Sequence, residues 1–515
     1  MLALPALDIE HLPDDAVALK ALIIERERAL QQALASWQVR FDALTQQILA
    51  LRRAHFGASS ERLAAQAELF VEAVSLPMPP VATETIHYER AKSKGRPKLP
   101  KDLPRSRIEY DLSEAEKGQF DSVVRIGEDV SETLDYTPAK LVVIEHARAK
   151  YRCEKAGEAT VRVASAEPSP LPKSNASAGL LAQVLVAKYA DGLPLNRQER
   201  IFRRHGAELS RATLCDWVLG STELLGTLMA PLKAHVLGAP VIFADDTTLD
   251  LLEAGRGQTR TARLWSYVSA GEITDSEGAW QLYPKAAIFE FSETRESRHP
   301  LQFLADYSGY LQADDFAGYH ALYRGERVIH VACWAHCRRR FFEIAKTQKP
   351  PGLAAEALAF IARLYEIESR LKARAPDERL AMRQAETRPL LAQFKTWLDG
   401  HFPTLLPKGP LAQAFHYALS NWQALGRFTD NGILAPDSNL VERTIRPVAV
   451  GRKAWLFAGS IRGGQAAAVA FSLIETAKLN GIEPFAYLRD VLTRIRSQRI
   501  DRLAELLPFN WKPLA

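Results

Sequence analysis

The chain has 515 residues, of which 47% are hydrophobic and 25% charged, and its formal net charge is +5. This length exceeds what one hydrophobic core can serve and predicts about three or four domains. Four scattered cysteines argue against a disulfide framework, the start lacks a signal-peptide pattern, and no apolar run is long enough to cross a membrane. We therefore expect a cytoplasmic protein without membrane contact.

The first segment, 1–74, is predicted to contain a long helix with a coiled-coil seam. Between Leu30 and Leu51, apolar residues recur at alternating steps of four and three, which is the spacing of a heptad repeat. No glycine or proline interrupts this seam. We expect the helix to form a homodimer or a higher oligomer, and an amphipathic helix packed on its own domain is the alternative.

The next segment, 75–107, is predicted to be a basic linker. Between Lys92 and Arg107 it holds seven basic residues against one acid. Gly95-Arg96-Pro97 lies in this basic and extended run. It resembles the short segments that insert an arginine side chain into a DNA minor groove. Arg96 and Lys98 are therefore candidate DNA-binding residues, with a solvated tether as the alternative.

Two small modules follow. Segment 108–170 alternates polar and apolar residues and predicts a small β module. Segment 171–236 is predicted to be helical, with Gly206 ending one helix and Ser210 capping the next, which is the outline of a DNA-binding helix-turn-helix. A generic helical hairpin is the alternative. The candidate DNA-binding residues here are Arg197, Arg203, Arg204 and Arg211.

From 237 to 460 the pattern changes to strands. Three consecutive strands, a helix, two further strands and then helices match the order of an RNase H-like fold. The strands are predicted at 240–252, 261–270, 286–292, 309–314 and 327–333. A helical insertion is expected at about 350–430, and 461–515 is expected to be a helical C-terminus. The fold class is therefore a multidomain α+β protein.

Three acidic residues stand at positions that this fold would bring to one sheet edge. Asp245 lies on the first strand, Asp314 follows the fourth, and Glu442 lies on a late helix. Such a group is a ligand set for two Mg²⁺ ions acting on a phosphodiester. Because neighbouring residues of a strand point to opposite faces, Asp245 and Asp246 cannot both face the metals. The spacing alone does not choose between them, nor between Asp314 and Asp315.

Longer motifs surround these acids. They read Ala-Asp-Asp-Thr at 244–247, Leu-Gln-Ala-Asp at 311–314 and Asn-Leu-Val-Glu-Arg at 439–443, followed by Gly-Arg-Lys-Ala-Trp-Leu-Phe-Ala-Gly-Ser at 451–460. The chain resembles the insertion-sequence-66 family of bacterial DDE transposases in these blocks and over nearly its whole length.

The resemblance implies a function and a site. Asp245, Asp314 and Glu442 would be the catalytic residues and would hold two Mg²⁺ (or Mn²⁺) ions for DNA cleavage and strand transfer. The partner would be double-stranded DNA, both the terminal inverted repeats of a mobile element and its target, with small accessory proteins as further partners. The protein would act in the bacterial cytoplasm, associated with the nucleoid.

Other residues near the acids are candidates for supporting roles. Asn439 lies one helical turn before Glu442 and can orient that carboxylate. Arg446, Arg452 and Lys453 place cations where they can bind DNA phosphates. Cys333, His336 and Cys337 lack a matching second pair of metal ligands, so structural packing is favoured, with His336 near DNA as the alternative.

One departure from the family concerns zinc. Members usually carry two Cys-x-x-Cys pairs near 110–160, whereas this chain has only Cys153 there. Because a tetrahedral zinc site needs four suitable ligands, we expect a degenerate zinc-finger-like β module and no structural zinc.

Two other functions compete with transposition. The first is a catalytically inactive relic that only binds the element ends, and the missing zinc ligands favour it slightly. The second is a structure-selective nuclease of RNase H-like fold. The complete set of three acids argues against a relic, and the long basic N-terminal half suits end recognition better than junction cutting.

Overall fold

The computed structural model describes residues 174–513 except 254, 256 and 349, together with 141–145, 150–155, 158–163, 169–172 and three isolated residues near the N-terminus. The chain divides into two compact units, one of them 64–146 and the other the remainder. The predicted coiled-coil seam, the basic linker with Arg96 and Lys98, and most of the β module lie outside the described residues.

The described part begins with a hairpin and a group of helices. Strands β1 (Lys150–Lys155) and β2 (Glu158–Val163) pair antiparallel. Four helices follow, namely α1 (Ala178–Tyr189), α2 (Leu195–Arg204), α3 (Arg211–Leu225) and α4 (Met229–Leu237).

Local sequence explains the break between α2 and α3. Gly206 adopts a positive φ of 85°, which ends α2 at low steric cost. Ser210 then caps α3, because its side chain accepts a hydrogen bond from the Thr213 backbone N–H. Phe202, Leu214 and Trp217 are buried, so an apolar core holds the two helices together.

A five-stranded mixed sheet forms the centre of the unit. Its strands are β3 (Val241–Leu252), β4 (Thr259–Ala270), β7 (Ala286–Ser292), β8 (Gly309–Ala313) and β9 (Val328–Val331). The spatial order is β7-β4-β3-β8-β9. Strands β3, β4 and β7 pair antiparallel, whereas β8 pairs parallel with both β3 and β9. A short hairpin of β5 (Glu272–Thr274) and β6 (Trp280–Leu282), which the sequence pattern did not predict, extends from β4.

Helices surround this sheet and extend from it. Helix α5 (Arg298–Phe303) connects β7 to β8, and α6 (Trp334–Ala345) follows β9. A helical region then comprises α7 (Leu353–Leu371), α8 (Pro376–Met382), α9 (Arg388–His401), α10 (Pro410–Ser420) and α11 (Trp422–Gly426). The last three helices are α12 (Asn439–Trp455), α13 (Ile461–Leu479) and α14 (Pro484–Arg494).

Helix α13 covers the outer edge of β7. The Phe289 N–H donates to Ser472 Oγ over 2.8 Å, and the Ala287 N–H donates to Thr476 Oγ1 over 3.0 Å. Both hydroxyls are fully buried. An uncovered edge would leave these backbone groups unpaired, so α13 completes the sheet on that side.

None of the helices in the described ranges combines the length and apolarity needed to cross a membrane.

Candidate active site

Strand pairing places Asp245 and Asp314 side by side. In the parallel ladder between β3 and β8, Ala244 is the partner of Ala313. Asp245 is the next residue on β3, and Asp314 is the first residue after β8. Asp245, within β3, and Asp314, directly after β8, therefore lie at the same level of two adjacent parallel strands. Asp314 Oδ1 accepts a hydrogen bond of 3.2 Å from the Phe316 N–H, which orients its carboxylate.

Helix α12 brings Glu442 to the same place. Glu442 lies in its first turn. Farther along, Arg452 Nη1 donates to Thr247 Oγ1 over 2.9 Å and to the Thr248 carbonyl over 2.5 Å, which fixes the helix on β3. The chain after α12 also pairs with the end of β3, because the Ala458 N–H donates to the Asp250 carbonyl over 2.8 Å.

Gln312 connects β8 to the segment that precedes α12. Its Nε2 donates to the carbonyls of Ala435 and Asp437 over 2.7 and 3.0 Å. The side chain is fully buried. Gln312 therefore fixes the distance between the strand that ends in Asp314 and the helix that carries Glu442, a role the sequence analysis missed. A polar amide within an apolar strand was the available signal.

Burial and mutual repulsion dominate the electrostatics of the acids. Burial, followed by the charges of Asp314, Glu442 and Asp246, raises the pKa of Asp245 to about 8, against an opposing effect of His336. Burial likewise raises the pKa of Asp314 and of Glu442, and His336 lowers both. Carboxylates that repel one another in a buried site bind divalent cations readily, since oxygen donors suit Mg²⁺ and Mn²⁺. The donor set therefore fits the expected ions.

The acids next in sequence have other partners. Asp246 is bonded to two arginines, with Arg263 Nη1 at 2.9 Å and Arg295 Nη2 at 2.8 Å from its carboxylate oxygens. Asp315 lies 3.2 Å from His320 Nε2 and accepts a hydrogen bond of 3.1 Å from Asn421 Nδ2. These contacts distinguish Asp246 from Asp245 and Asp315 from Asp314, whereas the spacing of the sequence alone did not.

His336 lies between the acids and Cys333. Burial lowers its pKa, but the charge of Cys333, a hydrogen bond with Cys333 and the charges of Glu442 and Asp245 outweigh that effect and raise the pKa to about 10. His336 Nδ1 is 3.8 Å from Glu442 Oε1. One ligand atom each from Cys333, His336 and Glu442 lies within 4.8 Å of the others. These three side chains form a group that can hold a metal ion, and Cys337 is buried outside it.

The remaining predicted residues occupy different surfaces. Arg197, Arg203, Arg204 and Arg211 are exposed on α2 and α3, and Arg203 pairs with Glu199 over 3.2 Å. Arg446 and Lys453 are exposed on α12, whereas the Arg452 guanidinium is half-buried against β3. Asn439 begins α12, and its N–H donates to Asp437 Oδ1 over 3.1 Å. A structural role of Arg452 was missed by the sequence analysis.

Comparison with protein families shows what class of protein this is. The Transposase IS66 family model matches residues 173–466, and the IS66 C-terminal element matches 472–509. Two further models match the N-terminal part, namely Transposase C of IS166 homeodomain at 43–108 and the zinc-finger binding domain of transposase IS66 at 116–155. The first match alone covers more than half of the chain. The chain belongs to the IS66 family of transposases.

Similar proteins are found in Sinorhizobium fredii (strain NBRC 101917 / NGR234). Uncharacterized protein y4jD is 36% identical, with 80% of this chain and 81% of that protein covered. Uncharacterized protein y4hP is 35% identical over 75% of this chain and 71% of its own length. Uncharacterized protein y4qI is 32% identical over 98% of this chain and 99% of its own length.

The prediction that no structural zinc is expected was wrong. The zinc-finger model of the family matches 116–155, and Cys333, His336 and Glu442 form a possible metal site within the described residues. The prediction counted Cys-x-x-Cys pairs along the sequence. That count misses a ligand group assembled from separate elements, here the start of α6 and the first turn of α12.

Proposed function

We propose that this chain is a DDE transposase that binds the terminal inverted repeats of its element and catalyses metal-dependent DNA cleavage and strand transfer. The observation that carries the proposal is the meeting of Asp245, Asp314 and Glu442 at one edge of the central sheet. Their shared burial and raised pKa values make them an electrostatic unit. Family membership supports the transposase class, and the three acids support the chemistry.

The sheet order supports an RNase H-like catalytic domain. Three antiparallel strands are followed by two strands parallel to the first, with β3 in the centre. That arrangement accounts for one acid within β3 and another directly after the adjacent strand β8. In this proposal, 353–426 is a helical insertion, and α2 and α3 are the helix-turn-helix.

The proposed mechanism assigns a task to each part of the site. Asp245, Asp314 and Glu442 would hold two Mg²⁺ or Mn²⁺ ions, which when bound supply activation of the attacking oxygen and charge neutralisation at the leaving oxygen. Arg452 and Gln312 act as positioning residues, because they fix α12 and β8 relative to β3. Asp246 is not one of the proposed metal ligands, because its carboxylate is already paired with two arginines.

DNA contacts would come from several exposed cations. Arg197, Arg204 and Arg211 would face phosphates on one surface, and Arg446 and Lys453 lie on the helix that carries Glu442. Arg96 and Lys98 would add minor-groove contacts. We further propose a homodimer or higher oligomer through the N-terminal coiled coil, with small accessory proteins as possible additional partners.

A strand-transfer assay tests the proposal. Purified protein, Mg²⁺ or Mn²⁺ and labelled DNA bearing the element ends should give joined products. Asp245→Ala should abolish cleavage and joining while leaving end binding intact, because the removed carboxylate belongs to the metal site. Binding without joining by the wild-type protein would favour an inactive relic. Cleavage of branched DNA without preference for element ends would favour a nuclease.

A further inference from the structure

The group formed by Cys333, His336 and Glu442 has the dimensions of a metal site. The three ligand atoms lie within 4.8 Å of one another, with His336 Nδ1 and Glu442 Oε1 3.8 Å apart. Tetrahedral zinc bonds of about 2.0–2.3 Å place ligand atoms roughly 3.3–3.8 Å apart. Small side-chain rotations therefore suffice to close the group on an ion. We propose that these residues bind a thiophilic divalent cation, Zn²⁺ above all, beside the acids of the candidate active site.

The local structure prepares Cys333 as a ligand. Cys333 precedes α6 as its N-cap residue, and its side chain is fully buried. The backbone N–H of Ser438, the residue before α12, donates to Cys333 Sγ over 3.2 Å. This contact fixes the position of the sulfur, which is a ligand atom that zinc prefers. The same contact joins the start of α6 to the start of α12, so both ligand-bearing helices are fixed relative to each other.

His336 supplies independent evidence for a ligand. It lies in the first turn of α6, three residues after the N-cap residue Cys333, and the ligand atoms of the two side chains are within 4.8 Å of each other. Its Nδ1 atom is buried and has no hydrogen-bond partner in the described part of the chain. A buried ring nitrogen that makes no hydrogen bond, and whose contact with Glu442 Oε1 is as long as 3.8 Å, is costly. A metal ion that displaced the proton from that atom would remove the cost.

The donor set distinguishes this site from the one formed by the three acids. Thiolate and imidazole ligands select zinc-like ions over Mg²⁺, which prefers oxygen. The His336 and Glu442 side chains remain 29% and 16% exposed, so one side of the group is open. Three protein ligands with an open fourth position are the arrangement of an accessible zinc site rather than a closed structural one.

Glu442 belongs both to the three acids and to the group with Cys333 and His336. The effect expected from this double role rests on the proposed function. An ion bound to Cys333 and His336 would engage Glu442 and withdraw it from Asp245 and Asp314. Zn²⁺ should then inhibit Mg²⁺-dependent joining, and Cys333→Ser should reduce that inhibition. The binding of the ion itself depends only on the three ligands.

Cobalt substitution tests the site without any need for activity. Titration of the reduced full-length protein with Co²⁺ should produce a thiolate-to-cobalt charge-transfer band and the visible bands of tetrahedral coordination. Cys333→Ser should remove the charge-transfer band, and His336→Gln and Glu442→Gln should weaken Co²⁺ binding by more than about tenfold. Circular dichroism and thermal unfolding would establish that each variant is folded.

Three matched variants should retain the signal. Cys337→Ser alters the other buried cysteine of α6, Cys153→Ser removes a ligand type from the zinc-finger segment, and Asp314→Asn alters an acid outside the group. No cobalt signal, or a signal unchanged by Cys333→Ser, would overturn the proposal, as would unchanged affinity in Glu442→Gln. If the cobalt bands appear but joining does not, the metal site stands and the proposed function fails. Joining without the cobalt bands would reject only the metal site.

Discussion

Asp245 and Asp246 are adjacent on β3, but the first lies among other carboxylates and the second is paired with arginines. Asp245 is partly buried next to other carboxylates, and burial together with their repulsion raises its pKa to about 8. The Asp246 side chain is only 4% exposed, but it is bonded to Arg263 and Arg295. Substitutions at these two positions should therefore change stability in opposite directions.

Without added metal and at neutral pH, Asp245→Asn should raise the melting temperature, because the unfolded chain gains stability by ionising Asp245 whereas the folded state keeps it protonated, and Asn has no such proton to release. Asp246→Asn should lower stability by about 1.5–3 kcal/mol, since charged hydrogen bonds to two arginines are lost. Thermal unfolding in a chelating buffer measures both effects. A rise in both variants, or a fall in both, would contradict the assigned roles.

The raised pKa of Asp245 also predicts a pH dependence. The folded state keeps this proton up to about pH 8, whereas the unfolded chain releases it near pH 4. The contribution of Asp245 to stability is therefore full below that lower pH and is lost as the pH rises toward 8. The metal-free melting temperature should fall across this window, and Asp245→Asn should flatten the fall. An equally steep profile in the variant would exclude Asp245 as its source.

At the scale of single elements, α13 stabilises the edge strand β7 through side chains. Thr476→Val keeps the size of the side chain but leaves the buried Ala287 N–H without its acceptor. We expect a loss of about 1–3 kcal/mol in the free energy of unfolding. Denaturant unfolding measures it, with Thr396→Val on the exposed face of α9 as the matched control, because that hydroxyl bonds only within its own helix. Equal effects in the two variants would mean that the edge contact contributes nothing specific.

The helical region contains a buried ion pair of a different kind. Arg383 and Glu368 form two hydrogen bonds of 2.7 and 2.8 Å, and Arg383 Nη1 also donates to the Phe428 carbonyl over 2.9 Å. This arginine side chain is only 2% exposed. It therefore connects the π-helical turn after α8 both to α7 and to the segment after α11.

Arg383→Met should destabilise the protein by about 3–5 kcal/mol, because the Glu368 charge would remain buried without a partner. Arg370→Met is the control, since the Arg370–Glu386 pair is exposed and should matter little. Chemical denaturation of both variants measures the loss in the free energy of unfolding. If Arg383→Met proves as stable as the control, the helical region does not depend on this pair.

At the scale of the whole molecule, the sequence predicted the positions of the main strands well. The predicted strand 286–292 has the bounds of β7, and 240–252 differs from β3 by one residue. Alternating and apolar runs bounded by glycine or proline carry this information locally. The hairpin of β5 and β6 was missed, because its strands are three residues long and largely exposed.

The site was less predictable than the strands. Motifs around Asp245, Asp314 and Glu442 were visible in the sequence, and the family resemblance pointed to Asp245, whereas spacing alone did not separate it from Asp246. The arginine partners of Asp246, which are Arg263 and Arg295, could not be predicted from the sequence. Long-range contacts such as Arg452 to β3 also cannot be inferred from spacing, and neither can the meeting of Cys333 with Glu442. These features depend on how distant elements pack, whereas strand bounds depend on neighbours in sequence.

We propose that Asp245, Asp314 and Glu442 form the catalytic group. Substitution of Asp314 and of its neighbour Asp315 is the most direct test of this proposal. Strand transfer on labelled element ends should be compared for the wild-type protein, Asp314→Asn and Asp315→Asn. We predict loss of joined products in Asp314→Asn and retention in Asp315→Asn, since Asp315 is bonded to His320 and Asn421 outside the metal-binding set. Joining that survives in a folded Asp314→Asn variant, or that disappears only in Asp315→Asn, would contradict the account.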